Sequence, residues 1–314
     1  MCTSFSTTGK PFYFGRNLDL DHSFSEQVVI TPRRFPLQFR HTVYENNHFA
    51  FLGTAAIIDG YPLYADAVNE KGLSIAGLNF PNNAFYPNET KKKLALAPFE
   101  LIPYLLATCA SLAEARSVLK NTDLVNTPFS ERVPLTPLHF HIADQSGSIV
   151  VERTKEGLSV HENPVGVLTN NPPFPFQLRS LYLCDNLTPA PPPKQGKTFR
   201  QKPFSLGVGA LGLAGDYSSP SRFQKAAWLL KHLQTGEREE ERIFAYFHLL
   251  ASVAPLKGCV LSNEKKPHFT RYACVANATE GAYYHLVHGE LSLRSVRLQD
   301  TDLNAEVLSA FPLS

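Results

Sequence analysis

Short apolar segments joined by glycine-closed turns recur along this chain, and they constrain its fold more than any other feature. Glu70-Lys71-Gly72 links 63–69 (LYADAVN) to 73–80 (LSIAGLNF), and Gln145-Ser146-Gly147 links 138–144 (LHFHIAD) to 148–153 (SIVVER). Lys155-Glu156-Gly157 then leads into LSVHEN, and turns at Thr279-Glu280-Gly281 and His288-Gly289-Glu290 divide 271–297 into two or three further strands. A strand that reverses through so few residues pairs antiparallel with its sequence neighbour, because a parallel partner needs a long crossover. Residues 11–20 (PFYFGRNLDL) and 27–31 (QVVIT) also read as strands, being short, aromatic or β-branched and bounded by Gly, Pro or Asp. Helical spacing appears between the blocks. It runs over 98–119, with Ser111 placed to cap a second start, and over 221–234 and 238–253. Strand blocks alternating with helix pairs predict antiparallel sheets covered by helices.

The 314 residues are expected to form one domain spanning 1–314, long enough to bury a substantial core. With 43% apolar and 18% charged residues and a net charge of +2, nothing favours nucleic acid, and no basic stripe with interleaved aromatics occurs. No apolar run reaches the roughly 20 residues of a membrane span. The start lacks a basic segment followed by an apolar one, so a cytoplasmic protein is expected. The five cysteines, Cys2, Cys109, Cys184, Cys259 and Cys274, are odd in number and widely spaced, which argues against a disulfide framework and against zinc. His139 and His141 share one strand face but lack a third ligand at suitable spacing, so no metal site is expected. The run 188–194 (TPAPPPK) reads as an extended loop.

The chain begins Met1-Cys2-Thr3-Ser4. Removal of Met1 would leave a cysteine carrying both a thiol and a free α-amine. The thiolate is the nucleophile of cysteine chemistry, and a neutral amine can take the thiol proton. Read alone, Cys2 is equally an incidental surface residue. Arg16 and Asp19 lie three apart near a strand end. A guanidinium favours a neighbouring thiolate and a carboxylate can hold an ammonium, although a surface ion pair fits the same spacing. Asn79 and Asn170 each follow a strand, where turn chemistry would suffice, yet a side-chain amide there can also donate to an oxyanion. Arg222 falls early in a helix after Ser218-Ser219-Pro220-Ser221.

Taken together and in order, these fragments resemble the choloylglycine hydrolase family, which comprises bile salt hydrolases and penicillin V acylases. The likeness covers the MCT start, FYFGRNLD, VVITPR, EKGLSIAGLNFP, APFELIPYLL, VLTNNP, GDYSSPSRF and the closing strands, essentially the whole chain. The resemblance implies an α+β fold of four αββα layers, with two packed antiparallel sheets between helices, the N-terminal nucleophile hydrolase arrangement. It implies Cys2 as nucleophile with its α-amine as proton acceptor, exposed by removal of Met1 alone. Arg16 and Asp19 would support the thiolate and the amine, Asn79 would donate to the oxyanion, and Asn170 and Arg222 would complete the site. No cofactor is implied.

The family builds its pocket from loops after the first strands and before the middle block. Carried over, these hold Leu18, Leu20, Phe24, Ile57 and Ile58, and then Tyr61, Leu63, Phe129, Val133 and Leu135, a set suited to a steroid or phenoxyacetyl body. The wording of FELIPYLL, GLNFP and SSPSRF favours glycine- or taurine-conjugated bile salts as substrate, with penicillin V or another lipid amide as the alternative. The resemblance also implies a homotetramer.

Overall fold

The computed structural model describes residues 1–44, 48–190 and 205–313. The proline run expected as a loop lies outside the described residues from 191 onward. The first half of the chain forms β1 (Cys2–Ser6), β2 (Tyr13–Leu20), β3 (Gln27–Thr31), β4 (Phe51–Ile58), β5 (Tyr61–Asn69), β6 (Ser74–Asn79), β7 (Leu94–Leu96), α1 (Leu101–Thr108), α2 (Leu112–Leu119) and β8 (Thr122–Leu124). The second half forms β9 (Leu138–Asp144), β10 (Gly147–Thr154), β11 (Gly157–Glu162), β12 (Val167–Leu168), α3 (Phe174–Ser180), α4 (Ser219–His232), α5 (Glu239–Ala251), β13 (Phe269–Asn277), β14 (Ala282–Val287), β15 (Arg294–Arg297) and β16 (Ser309–Pro312).

Two antiparallel sheets carry the fold. One has the order β12-β1-β2-β13-β14-β15 and the other β11-β10-β9-β6-β5-β4-β3-β16, while β7 and β8 form a small parallel pair. The glycine turns fix the hairpins. Gly72 sits at φ +92° between β5 and β6, and Gly281 at φ +63° between β13 and β14, where a β-carbon would be strained.

Period-two alternation sorts each strand between two cores. In the eight-stranded sheet Val28, Ile30, Leu52, Val68, Ala76, Leu78, Ala143 and Val150 turn toward the six-stranded sheet and join its core. Their neighbours Val29, Phe51, Ala67, Ile75, Ile142, Ile149 and Val151 turn outward onto Leu101, Leu105 and Leu106 of α1 and Leu112 and Ala115 of α2. The outer face of the six-stranded sheet is covered by Phe223 and Ala226 of α4 and by Ile243, Tyr246, Leu249 and Leu250 of α5. The layers are therefore α4/α5, six strands, eight strands and α1/α2, the expected αββα order.

The 98–119 segment is not one helix. It opens with a 3-10 turn at Pro98–Glu100, α1 stops at Cys109, and Ser111 accepts a hydrogen bond from the Glu114 amide as the N-cap of α2. That cap was legible from the sequence.

Candidate active site

β1 enters the six-stranded sheet with all five residues buried, between β2 and β12. Its register pairs Cys2 with Leu18 and Ser4 with Arg16. The hydroxyls of Ser4 and Ser6 reach His141 of the eight-stranded sheet. Cys2 shares their side of the strand, so its thiol faces the layer between the sheets. Thr3 points the other way, toward α4, where its hydroxyl meets Arg222. Cys2 is itself buried, at 3% exposure.

Arg16 and Asp19 both lie on β2 and both are fully buried, which excludes the surface ion pair. Their odd separation puts them on opposite faces of the strand. Arg16 faces the inter-sheet layer, on the thiol's side. Its Nη1 donates to the carbonyls of Ala65 (2.8 Å) and Gly77 (3.0 Å) and lies 3.7 Å from Asp66 Oδ2. Its Nη2 is buried without a partner. Burial alone would weaken its hold on the proton, but the negative charge of neighbours such as Cys2 and Asp66 outweighs that and raises its pKa above the ordinary arginine value. Arg16 is therefore a permanent cation.

Asp19 accepts from the Thr270 hydroxyl at 2.7 Å through Oδ1, while its Oδ2 is buried and unpartnered. The α-amine here is carried by Met1 and lies 2.7 Å from the Asp19 carbonyl and 2.6 Å from His268 Nε2. Burial holds this amine below its usual value, against the opposing charges of Cys2 and Asp19. An amine in such surroundings keeps a proton-accepting form at neutral pH.

Asn170 and Arg222 clamp the main chain of Cys2. Asn170 Oδ1 accepts from the Cys2 amide (2.7 Å) and from Arg222 Nη2 (2.8 Å), and its Nδ2 donates to the Asn79 carbonyl at 2.7 Å. Arg222 Nη1 donates to the Cys2 carbonyl and to Thr3 Oγ1 (2.6 Å), and its Nε to the Tyr217 carbonyl at 3.0 Å. Burial lowers the Arg222 pKa, opposed by the charges of Asp19 and Cys2. Ser219, in the first turn of α4, receives the Asn170 amide at 2.8 Å and so ties the helix start to the same residue. Asn79 closes β6, and its side chain makes no hydrogen bond among the described residues, which leaves its amide free to donate.

The six residues singled out as catalytic thus converge on the N-terminal end of β1. The expected pocket set is more scattered. Leu18 and Leu20 lie on β2, Ile57 and Ile58 end β4, and Tyr61 and Leu63 begin β5, so only Phe24, Phe129, Val133 and Leu135 are loop residues. This corrects the loop reading: Leu18, Leu20 and Leu63 fall in segments that already read as strands, and Ile57 and Ile58 escaped because β4 is buried over most of its length and shows no alternation. Leu18 is core, with Leu20 and Phe24 packed against it, whereas Ile57 and Leu135 pack on the outer core with α1. Tyr61 and Phe129 do meet, their rings 5.7 Å apart and both against Phe99. A cavity of about 710 Å³ is lined by Ser6, Val165, Leu181 and Trp228, at the opposite end of β1 from Cys2.

The histidine pair is structural. His139 contacts Glu152 and the Thr169 carbonyl, and no histidine lies within hydrogen-bonding distance of the Cys2 sulfur among the described residues. No cluster of three or more metal-ligating side chains occurs among them either. Sequence reasoning missed Asp66 beside Arg16, Thr270 on Asp19 and His268 against the terminal amine. The signal for Asp66 was a lone acid within the otherwise uncharged strand 63–69.

Residues 2–311 match the model for linear amide C–N hydrolases of the choloylglycine hydrolase family. A bile salt hydrolase/transferase of Lactiplantibacillus plantarum is 41% identical over 317 residues, covering 100% of this chain and 97% of the relative. A conjugated bile acid hydrolase of Lactobacillus gasseri is 34% identical over 99% of this chain and 100% of its own. Among solved structures, the C2A mutant of conjugated bile acid hydrolase from Clostridium perfringens superposes with a TM-score of 0.91 at 31% identity, covering 100% of this chain and 97% of that one. Penicillin V acylase from Agrobacterium tumefaciens reaches 0.77 at 20% identity, covering 100% and 92%, and shares the fold.

Proposed function

The chain belongs to the choloylglycine hydrolase family, and from that premise we propose that it hydrolyses the amide of glycine- or taurine-conjugated bile salts, with Cys2 as an N-terminal nucleophile. The observation that carries the chemistry is the convergence of Asn170 and Arg222 on the Cys2 main chain with Arg16 on the thiol's side. The substrate class rests on full-length relatives named for bile salt hydrolysis at 33–41% identity.

Met1 removal would expose a new α-amine on Cys2, at the nitrogen that donates to Asn170 Oδ1. That amine takes the thiol proton, and the thiolate attacks the amide carbon. Asn79 Nδ2 and a backbone N–H hold the oxyanion of the tetrahedral intermediate. Collapse breaks the C–N bond, and the α-ammonium returns the proton to the departing amine. Water, deprotonated by the same amine, then cleaves the thioester to give the free bile acid and the thiol. Asp19, whose Oδ2 is buried and unpartnered, would accept from the Cys2 ammonium.

Tyr61, Phe129 and Phe99 offer an aromatic surface for the steroid body. A homotetramer working in the cytoplasm completes the reading. It is supported by five unpaired cysteines and by exposed Phe176, Tyr182, Leu183, Leu206 and Leu211. Side-by-side kcat/KM values for glycocholate, taurocholate and penicillin V, with the Cys2→Ala variant as control, test the proposal. Conjugated bile salts should be preferred and the variant inactive. Preference for penicillin V would overturn the substrate, and an active variant would overturn the nucleophile.

A further inference from the structure

Arg16 is held on one side by an acid that the chemistry above does not use. Asp66 lies on β5 of the eight-stranded sheet and is 2% exposed. Its Oδ2 accepts from the Tyr272 hydroxyl at 2.6 Å, and its Oδ1 from the Tyr283 hydroxyl at 2.5 Å and from Cys274 Sγ at 3.5 Å. The three donors come from β13 and β14 of the opposite sheet, and Tyr283 also meets Thr54 Oγ1 at 2.7 Å. Burial, followed by the charge of Asp66, pushes both tyrosines and Cys274 well above their usual values, so all three keep their protons. The carboxylate's one ion-pair partner among the described residues is Arg16.

We propose that Asp66 is the standing counter-ion of Arg16, balancing its charge in those stages of the reaction when Cys2 is uncharged. This rests on the reading of Cys2 as nucleophile. Arg16 is fully buried and permanently charged, so its cost changes with the state of the sulfur beside it. Beside a thiolate the cation has an anion. Beside the resting thiol or the acyl thioester it has none from Cys2, and Asp66 supplies one. The two tyrosines moderate that anion by sharing its charge through hydrogen bonds. Position is not the issue, because Arg16 is already fixed by the carbonyls of Ala65 and Gly77. Asp66 acts through Arg16 and touches no reacting atom.

Opposite displacements of the acidic limb of the kcat/KM profile, where the attacking thiolate forms, test this. In Asp66→Asn the thiolate becomes the sole counter-ion of Arg16, so the limb should move to lower pH by about one unit, the order expected when a charge 3.7 Å from that shared cation is removed. The plateau should fall as well, because a thiolate held more firmly attacks less readily. In Tyr283→Phe the carboxylate loses a donor and acts more strongly on Arg16, so the limb should move to higher pH. Limbs that stay at the wild-type position in both variants, or that move in the same direction, overturn the proposal and leave Asp66 a structural residue. Should Asp66→Asn not be recovered folded, the direction of the Tyr283→Phe shift decides alone. Cys2→Ala separates the two levels: if it is active, the nucleophile reading fails, whereas an inactive Cys2→Ala with unmoved limbs defeats only the role of Asp66.

Discussion

Replacing Asn170 by aspartate changes one atom of the clamp and should separate holding the nucleophile from placing the oxyanion donor. The Oδ1 that receives the Cys2 amide and Arg222 Nη2 is retained, and its bond to Arg222 becomes one between opposite charges. The Nδ2 that donates to the Asn79 carbonyl at 2.7 Å becomes a second carboxylate oxygen facing a carbonyl oxygen. A hydrogen bond of about 1 kcal/mol is lost and replaced by repulsion, while the charged bond to Arg222 gains a comparable amount, so net stability should change by less than about 2 kcal/mol. Activity should respond differently. The end of β6 relieves the contact by shifting, and a displacement of about 1 Å at a reacting group costs on the order of 10²-fold, close to 3 kcal/mol of barrier. Release of free glycine from glycocholate, followed from acidic to neutral pH beside a thermal melt, reads both effects. The expected result is a kcat about 10²-fold lower with KM changed less than about threefold. The deficit should shrink at acidic pH, where the introduced carboxyl is protonated and donates to the Asn79 carbonyl again. An Asn170→Asp enzyme with a kcat within about threefold of wild type at neutral pH would refute this reasoning.

Three further outcomes follow from the same geometry. Asn79→Ala should lower kcat by about 10²–10³-fold, the usual cost of one oxyanion donor, with little change in melting temperature, since its side chain makes no hydrogen bond among the described residues; steady-state kinetics and a melt check it. Arg222→Lys keeps the charge but not the fork that spans the Cys2 carbonyl, Thr3, Asn170 and Tyr217, and should reduce kcat by about 10-fold or more, measured on the same substrate. His141 is pushed down to about 3, first by burial and then by His139. The unfolded chain therefore binds a proton that the folded one refuses between pH about 6.5 and about 3, and stability falls as pH drops through that window. In His141→Gln that fall should lessen by on the order of 4–5 kcal/mol, read from urea midpoints against pH, and parallel curves for variant and wild type would contradict it.

What the sequence made legible was whatever left a local chemical mark. The hairpins of β5–β6, β9–β10 and β13–β14 were marked by their glycine turns, and the break between α1 and α2 by Ser111. The six candidate site residues each sit in a motif that also has a plain structural explanation, and only their order along the chain, through the family resemblance, argued for chemistry. β4 was missed because a strand buried on both faces does not alternate, and β1 because CTSFS has too little apolar character to stand out. Asp66 was invisible for a different reason. Its importance arises where two sheets meet, and it depends on Tyr272 and Tyr283 more than two hundred residues away. The face on which Ile57 and Leu135 pack, the α1 side of the sheet, was hidden by the same limit.

Everything proposed for the chemistry depends on a terminal amine being carried by Cys2. The most direct measurement is the intact mass of purified enzyme alongside its turnover of a conjugated bile salt. The account predicts that active protein is lighter than the translated chain by one methionine residue, and that protein retaining Met1 is inactive until an aminopeptidase removes it. Full turnover by a homogeneous preparation with Met1 still attached would contradict it.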